Sequence, residues 1–269
     1  MNTITLNTGI KIPLVGSGTN TFGKENHDFK GTINNDTTEL ESVLRVGYTL
    51  LDTAVSYRNE SVIGLAVKRS GLDRSKVFLT SKIPGSVEYT ETDQKVEETI
   101  HSSLKALDTD YIDLYLIHHP WDNLEDIVRV WKVLESYVDK GILKAIGVSN
   151  FKVEPLAYLL EHSRIKPAIN QIESHPSLWQ DELIEFCQKN NVVVQAWSPI
   201  KKVSEEAKAQ LEKIGAQYNK TWAQIVLAYQ VQRNVVVIPK STDPIRQKQN
   251  FELFDFTLSE ADKAIIKTL

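Results

Sequence analysis

Leu51-Asp52-Thr53-Ala54-Val55-Ser56-Tyr57-Arg58-Asn59-Glu60 brings a carboxylate, a phenol and a helix start within one short stretch. The run before it, Gly47-Tyr48-Thr49-Leu50-Leu51, is apolar and bounded by a glycine, which reads as a buried strand that Asp52 closes. Side chains alternate along a strand, so Asp52 shares the face of Leu50, and a carboxylate on an apolar face needs a partner. The next two strands offer one. Val77-Phe78-Leu79-Thr80-Ser81-Lys82 closes on a lysine and Ile112-Asp113-Leu114-Tyr115-Leu116-Ile117-His118 closes on a histidine. Three consecutive strands thus end in Asp, Lys and His, with a tyrosine just after the first.

Outward from this stretch, helical and strand patterns alternate. Leu40, Val43 and Leu44 have helical spacing before the Asp52 strand, Val62, Ile63, Ala66 and Val67 before the Lys82 strand, and Val96, Ile100, Leu104 and Leu107 before the His118 strand. Further on, Ile127, Val130, Trp131, Leu134 and Val138 precede a strand at 143–149, and Leu156, Leu159 and Leu160 precede one at 168–172. Leu183, Phe186 and Cys187 precede a strand at 192–197, and two helices through Gln232 precede one at 235–239. Counted from Val15, eight strands alternate with helices, over a length close to the roughly 250 residues typical of a barrel. The rival is a doubly wound open sheet, whose G-x-G-x-x-G signature is absent: Gly16-Ser17-Gly18-Thr19-Asn20-Thr21 has threonine where the third glycine belongs. The barrel also explains why Asp52, Lys82, His118, Ser149, Gln171, Trp197 and Lys240 fall at or near C-terminal strand ends, where barrel enzymes carry their chemistry. Upstream, Ile4-Thr5-Leu6 and Ile10-Lys11-Ile12-Pro13 flank Asn7-Thr8-Gly9 as a hairpin. The expected fold is α/β, a (β/α)8 TIM barrel with an N-terminal β-hairpin at the barrel bottom. No linker or repeat divides it, so one domain over 1–269 is expected. Residues 19–36, rich in Asn, Gly, Asp and Lys, read as a solvated loop, of a length that is often functional in compact domains.

The 269 residues are 41% hydrophobic and 25% charged with a net charge of −4, the balance of a soluble globular domain without a basic footprint for nucleic acid. The N-terminus lacks a charged region followed by a long apolar core, and no apolar run approaches membrane-spanning length, so a cytoplasmic protein is expected. The single cysteine, Cys187, lies in a helical apolar pattern and reads as a small core hydrophobe.

The chemistry follows from charge. A free tyrosine, with a pKa of about 10, is a poor acid near neutrality. Lys82 beside Tyr57 would favour phenolate and lower that pKa, while Asp52 keeps the buried lysine charged. His118 adds a hydrogen-bond donor. The group suits a carbonyl oxygen that gains negative charge during reduction, with tyrosine as general acid. Taken singly, each residue reads equally as a structural ion pair or a satisfied core histidine; the constellation is far more specific. Adjacent His118 and His119 raise the question of a metal. Neighbouring strand residues point to opposite faces, and no H-E-x-x-H or cysteine pair is present, so no metal site is expected.

These residues together resemble the signatures of the aldo-keto reductase family, over nearly the whole chain and in the form of its bacterial members. Leu51-Asp52-Thr53-Ala54 with Tyr57-Arg58-Asn59-Glu60 is similar to the first signature, Thr80-Ser81-Lys82 to the lysine motif, and Asp113-Leu114-Tyr115-Leu116-Ile117-His118-His119-Pro120 to the histidine strand. The resemblance implies a catalytic tetrad of Asp52, Tyr57, Lys82 and His118. It implies reversible hydride transfer between a nicotinamide cofactor and a small-molecule carbonyl or alcohol, without metal or flavin. Gly147-Val148-Ser149-Asn150-Phe151 and Asn170-Gln171-Ile172-Glu173-Ser174-His175-Pro176 resemble the motifs that hold the carboxamide, which assigns Ser149, Asn150 and Gln171 to it. Ala196-Trp197-Ser198-Pro199 resembles the segment whose aromatic residue stacks on nicotinamide. Ile238-Pro239-Lys240-Ser241-Thr242 and Arg246-Gln247-Lys248-Gln249-Asn250 resemble the adenosine-phosphate site. There Lys240 and Arg246 would face the 2′-phosphate with charge-assisted bonds that NADH cannot form, so NADPH is expected over NADH. Gly18, Thr19, Asp52, Ser198, Ile200, Ser241, Thr242, Gln249 and Asn250 complete the implied cofactor set.

Departures from the family pattern bear on affinity and substrate. Gln249 stands where glutamate is common, keeping a hydrogen bond to adenine but losing a carboxylate. His119 replaces a common tryptophan and Asn20 a frequent aromatic; with Trp121 they form the implied substrate pocket, made more polar by both changes. The 19–36 loop is longer than usual and would cover the mouth. The connection after Ser198-Pro199-Ile200 is short, and the chain stops soon after Leu258-Ser259-Glu260-Ala261-Asp262 without the extended loop of many animal members. Such an open, moderately polar site suits small or medium aldehydes, ketones and α-dicarbonyls. Two functions follow: an NADPH-dependent carbonyl reductase, or a cofactor-binding regulatory sensor that keeps the fold with little turnover. The complete tetrad favours the first. Relatives are often monomers, and a monomer with no nucleic-acid or membrane partner is expected.

Overall fold

The computed structural model describes residues 2–269. Two short strands, β1 (Thr3–Thr5) and β2 (Lys11–Pro13), pair antiparallel, and Gly9 in their turn adopts a φ of +83°, where a side chain would be strained. Eight parallel strands follow in chain order: β3 (Ser17–Gly18), β4 (Leu50–Asp52), β5 (Phe78–Ile83), β6 (Ile112–Ile117), β7 (Leu143–Ser149), β8 (Ile169–Glu173), β9 (Val193–Trp197) and β10 (Val235–Val237). The sheet closes where Val15 bridges Val237, with the Gly16 amide donating to Val237 O at 2.9 Å. The ladder of β10 stops short of the expected 239 because Pro239 has no N–H to donate.

The crossover helices are α1 (Thr38–Val46), α2 (Glu60–Ser70), α3 (Val87–Thr90), α4 (Asp93–Leu107), α5 (Leu124–Asp139), α6 (Val153–His162), α7 (Asp181–Lys189), α8 (Glu205–Tyr218) and α9 (Trp222–Val231), and α10 (Pro244–Phe251) and α11 (Glu260–Lys267) follow the last strand. The arrangement is a (β/α)8 barrel. Strand alternation divides the core as the pattern requires. Leu51, Leu79, Tyr115, Ile146 and Val194 pack in one cluster with helix residues such as Val43, Ile63, Ile100 and Trp131. Their neighbours Leu50, Phe78, Leu114, Ala145, Ile169, Val193 and Val236 form a second cluster. Leu6 and Ile12 of the hairpin join that second cluster, so the hairpin covers the N-terminal ends of the strands. The opposite end is left for polar groups.

Residues 19–36 are not a solvated loop throughout. Thr19, Thr21, Phe22 and Lys24 are buried, and only the following stretch is exposed. Two side chains explain this. Asn59 donates from Nδ2 to Thr19 O (2.7 Å) and Phe22 O (3.1 Å), and Lys24 donates from Nζ to Asn20 O (3.0 Å) and Phe29 O (2.7 Å). Burial, followed by the nearby Arg58 charge, holds Lys24 down at about 8. Among the described residues, no helix is long and apolar enough to cross a membrane.

Candidate active site

Asp52 closes β4, Lys82 is the last residue but one of β5 and His118 follows β6, and their side chains meet at the C-terminal end of the barrel. Lys82 Nζ donates to Asp52 Oδ1 at 2.6 Å and to Thr53 O at 2.9 Å, with 0% and 2% of the Lys82 and Asp52 side chains exposed. Gln171 takes the other carboxylate oxygen, its Nε2 lying 2.6 Å from Asp52 Oδ2. A 3-10 turn at Val55–Tyr57 then brings Tyr57 back over the strand end, and Lys82 Nζ reaches Tyr57 Oη at 3.4 Å. His118 lies edge-on to the phenol, 5.6 Å between ring centroids. Its Nδ1 is 3.2 Å from Ser56 Oγ. Phe29, from the 19–36 loop, meets the other edge of Tyr57 at 5.9 Å, and Arg58 Nη2 fixes Phe29 by donating to its carbonyl oxygen at 3.0 Å.

The electrostatics are those of a buried ion pair facing a phenol. Burial pushes Asp52 up, opposed by Lys82 and Gln171. The same burial would depress Lys82, but Asp52 and Tyr57 outweigh it and hold the ammonium above its usual value. With a donor on each carboxylate oxygen, the ionised pair satisfies both partners. The sequence suggests a lowered phenol for Tyr57; instead burial pushes it up, and Lys82 only offsets part of that. A neutral phenol holding its proton is the form that donates. Burial, then Lys82 and His119, holds His118 down at about 2, so its imidazole is neutral.

Around this group the polar residues of β7, β8 and β9 hold one another. Ser149 Oγ donates to Gln171 O (3.0 Å), and Gln171 Nε2 also donates to Gln195 Oε1 (2.8 Å). Trp197 Nε1 donates to Asn150 Oδ1 (2.9 Å), which settles the orientation of that amide: an indole N–H has no lone pair to accept with. Asn150, at a φ of +63°, sits in the left-handed region that side chains rarely adopt, a strain often found at functional sites.

A cavity of about 1060 Å³ opens over this group. Its near lobe carries Asp52, Tyr57, His118, His119, Asn20, Asn150 and Trp197, and its far lobe Lys240, Ser241, Arg246, Gln249 and Asn250, with Gly18, Thr19, Ser149, Gln171, Ser198 and Ile200 also on its wall. Three expected residues are not part of it: Lys82, wholly buried, stands behind the wall and reaches the site through Tyr57 Oη, and the other two lie elsewhere. Trp121 turns its Nε1 to Asp126 Oδ2 at 3.0 Å and packs against Gly85, and Thr242 is not among the cavity residues. The expectation that His118 and His119 point to opposite faces is also corrected. Strand β6 ends at Ile117, so alternation no longer applies, and the two rings stack 4.5 Å apart at 13°. Among the described residues no group of three or more His, Cys, Asp or Glu could hold a metal ion.

The sequence reading missed part of the far lobe. Lys201 lines it after β9, and Lys220, Thr221, Trp222 and Ala223 line it from the α8–α9 junction. One signal was available: Thr221 and Gln224 form a capping box, visible as T-x-x-Q, which marks a helix N-terminus there. Gln247, buried, accepts from Ser42 Oγ at 2.6 Å and donates to Ser241 O at 2.8 Å, fixing the Ser241 turn to α1. A cavity of this size, with Trp197, several side-chain amides and the cations Lys201, Lys240 and Arg246 on its wall beside one carboxylate, Glu212, has the lining of a dinucleotide site.

A family model described as the aldo/keto reductase family matches residues 14–269. The chain is 37% identical to the glyoxal reductase of Bacillus subtilis, with 100% of this chain and 92% of that protein covered. Among solved structures it is similar to an aldo/keto reductase from Brucella melitensis, with a TM-score of 0.90, 36% identity and 98% of each chain covered. It is similar also to a silkworm (Bombyx mori) aldo-keto reductase complexed with NADPH, with a TM-score of 0.88, 33% identity, and 98% of this chain and 86% of that one covered.

Proposed function

The chain belongs to the aldo/keto reductase family, and from that premise we propose that it reduces small and medium aldehydes and ketones to alcohols with NADPH, Tyr57 acting as general acid. One observation carries the reading: the Tyr57 hydroxyl lies 3.4 Å from an ammonium that Asp52 holds at 2.6 Å, on the wall of a cavity that runs to a cation-lined lobe. When bound, the reduced nicotinamide supplies the hydride. The protein holds the carbonyl and delivers a proton to its oxygen. As negative charge grows there, the proton leaves Tyr57 Oη, and the phenolate left behind faces the Lys82 ammonium. His118, neutral, serves as a hydrogen-bonding group that orients the carbonyl rather than as a charge.

Trp197 offers a flat face to the nicotinamide, and Ser149, Asn150 and Gln171 a polar edge to its carboxamide. Lys240 and Arg246 supply charge-assisted bonds to a 2′-phosphate, and Lys201 adds to the positive potential there, whereas the Lys220 ammonium is paired with Asp255 at 2.7 Å. NADH has no such phosphate, which supports a preference for NADPH. The B. subtilis relative's name, glyoxal reductase, supports carbonyl compounds as the substrate class. The test is oxidation of NADPH against a panel of aldehydes and ketones. Tyr57→Phe is expected to lose about 10²- to 10⁴-fold in turnover while binding NADPH as the wild type does. Full turnover in that variant would overturn the proposal.

A further inference from the structure

We infer that Gln195 is a positioning residue of the cofactor site: it holds the Gln171 side chain so that the Gln171 amide oxygen meets, as a fixed acceptor, the amide N–H of a nicotinamide carboxamide. The inference rests on the cofactor reading above and adds to it a residue that is not itself on the cavity wall.

Asp52 decides which way the Gln171 amide is turned. An ionised carboxylate only accepts, so the atom 2.6 Å from Asp52 Oδ2 is the amide nitrogen of Gln171. That nitrogen carries a second proton, which goes to Gln195 Oε1 at 2.8 Å. Both protons of Gln171 Nε2 are thereby spent inside the barrel, and the oxygen on the same carbon is left. Among the described residues no donor takes Gln171 Oε1, nor is it sealed away like the partnerless Gln195 Nε2 and Thr80 Oγ1. It therefore opens on the cavity that Gln171 lines.

One hydrogen bond does not aim that oxygen. An amide held only at Asp52 still turns about the bond it makes there, and Oε1 sweeps an arc. The two N–H bonds of one nitrogen diverge within the amide plane, so a second acceptor fixes the plane. Gln195 is placed for this by strand alternation and register. It shares the inward face of β9 with Val193 and Trp197, and its register partner on β8 is Gln171. Its side chain is buried, and its own Nε2 meets no acceptor among the described residues. A buried donor without a partner destabilises the fold. Leucine there would remove that donor and fill similar space; what glutamine alone contributes is the oxygen that meets Gln171.

The experiment compares binding of NADP+ with that of its 3-acetylpyridine analogue, in which a methyl group replaces the carboxamide nitrogen, by fluorescence titration of the whole chain. Wild type is expected to bind NADP+ about tenfold more tightly, since the analogue leaves the Gln171 acceptor unmet. In Gln195→Leu the ratio is expected to fall to about twofold, through weaker NADP+ binding with the analogue little changed. Gln195→Asn, which keeps an amide but withdraws its oxygen by one methylene, is expected to do the same in a barrel whose interior stays polar. Gln195→Glu, which keeps an oxygen at the same reach, is expected to hold the ratio near the wild-type value. A merely structural role would weaken both nucleotides together; that result, or a ratio indifferent to residue 195, would overturn the inference. Equal binding of both nucleotides by wild type would remove Gln171 as the carboxamide acceptor, and the inference with it, while the cofactor reading stands. Binding of neither nucleotide would remove both.

Discussion

Replacing Lys82 with methionine removes the one positive charge that Asp52 meets. The ammonium makes three contacts, to Asp52 Oδ1 at 2.6 Å, Thr53 O at 2.9 Å and Tyr57 Oη at 3.4 Å, and its side chain is 0% exposed. Removing one partner of a buried ion pair costs about 3–5 kcal/mol. Gln171 still donates to Asp52 Oδ2, and the carboxyl can take up a proton, so the lower end of that range, about 3 kcal/mol, is expected. The proton uptake gives the loss a sign with pH. Burial already pushes Asp52 up, and without Lys82 the principal opposing influence is gone. Between the ordinary carboxyl value and the raised one, the folded variant holds a proton that the unfolded chain has released. Stability of Lys82→Met therefore falls as pH rises through that window. Urea denaturation followed by circular dichroism, at about pH 5 and about pH 8, is expected to show the larger loss at the higher pH. The double variant Asp52→Leu with Lys82→Met is expected to recover most of it, since an apolar pair in place of an ionic one is often neutral. A loss under about 1 kcal/mol at both pH values would refute the reasoning, because the pair would then contribute little beyond a surface contact.

Two further outcomes follow from the site. His118 is held down at about 2 while an unfolded histidine titrates near 6.5, so between these values the unfolded chain binds the extra proton and stability rises with pH. Urea midpoints taken from about pH 4 to about pH 6 should rise more steeply for wild type than for His118→Asn, and equal slopes would contradict a neutral His118. Lys240→Met combined with Arg246→Met is expected to weaken NADPH binding by about tenfold to a hundredfold, the worth of a charge-assisted contact, and to leave NADH binding nearly unchanged. Fluorescence titration with both nucleotides decides it; an equal loss for both would remove the two residues from 2′-phosphate recognition.

The barrel was legible because its signals are periodic. Parallel strands covered by helices read as short apolar runs, and each helix shows its own apolar face, so eight alternations could be counted without knowing any contact. The meeting of Asp52, Lys82 and His118 was legible for the same reason: register puts strand ends at one rim. What escaped depends on groups that periodicity does not describe. The burial of Thr19 and Phe22 is set by Asn59, about forty residues away, whose Nδ2 meets both carbonyls. His118 and His119 stack rather than part to opposite faces because β6 stops at Ile117, before either ring, so strand alternation governs neither. The shift of Tyr57 escaped because it is a contest between Lys82 and burial, and the extent of burial is not a sequence property. Trp121 faces Asp126, five residues on, a local contact that motif matching passes over.

The seam of the barrel bears on how the molecule is made. Val15 and Val237 bridge it, and Lys240 Nζ closes it from the inside by donating to Thr21 Oγ1 at 2.6 Å, across 219 residues of chain. Most other strand pairs join near neighbours in sequence and can assemble as synthesis proceeds, whereas this one waits until nearly the entire polypeptide has left the ribosome. Closing so long a loop delays the reward of its contacts, which places the seam late in folding. The cavity, lined from Gly18 to Asn250 and so from both ends of the chain, comes into being at that same moment. Any dinucleotide that bridges Gly18 and Asn250 then acts as a latch on the youngest joint of the barrel, and by mass action lowers the population in which it is open.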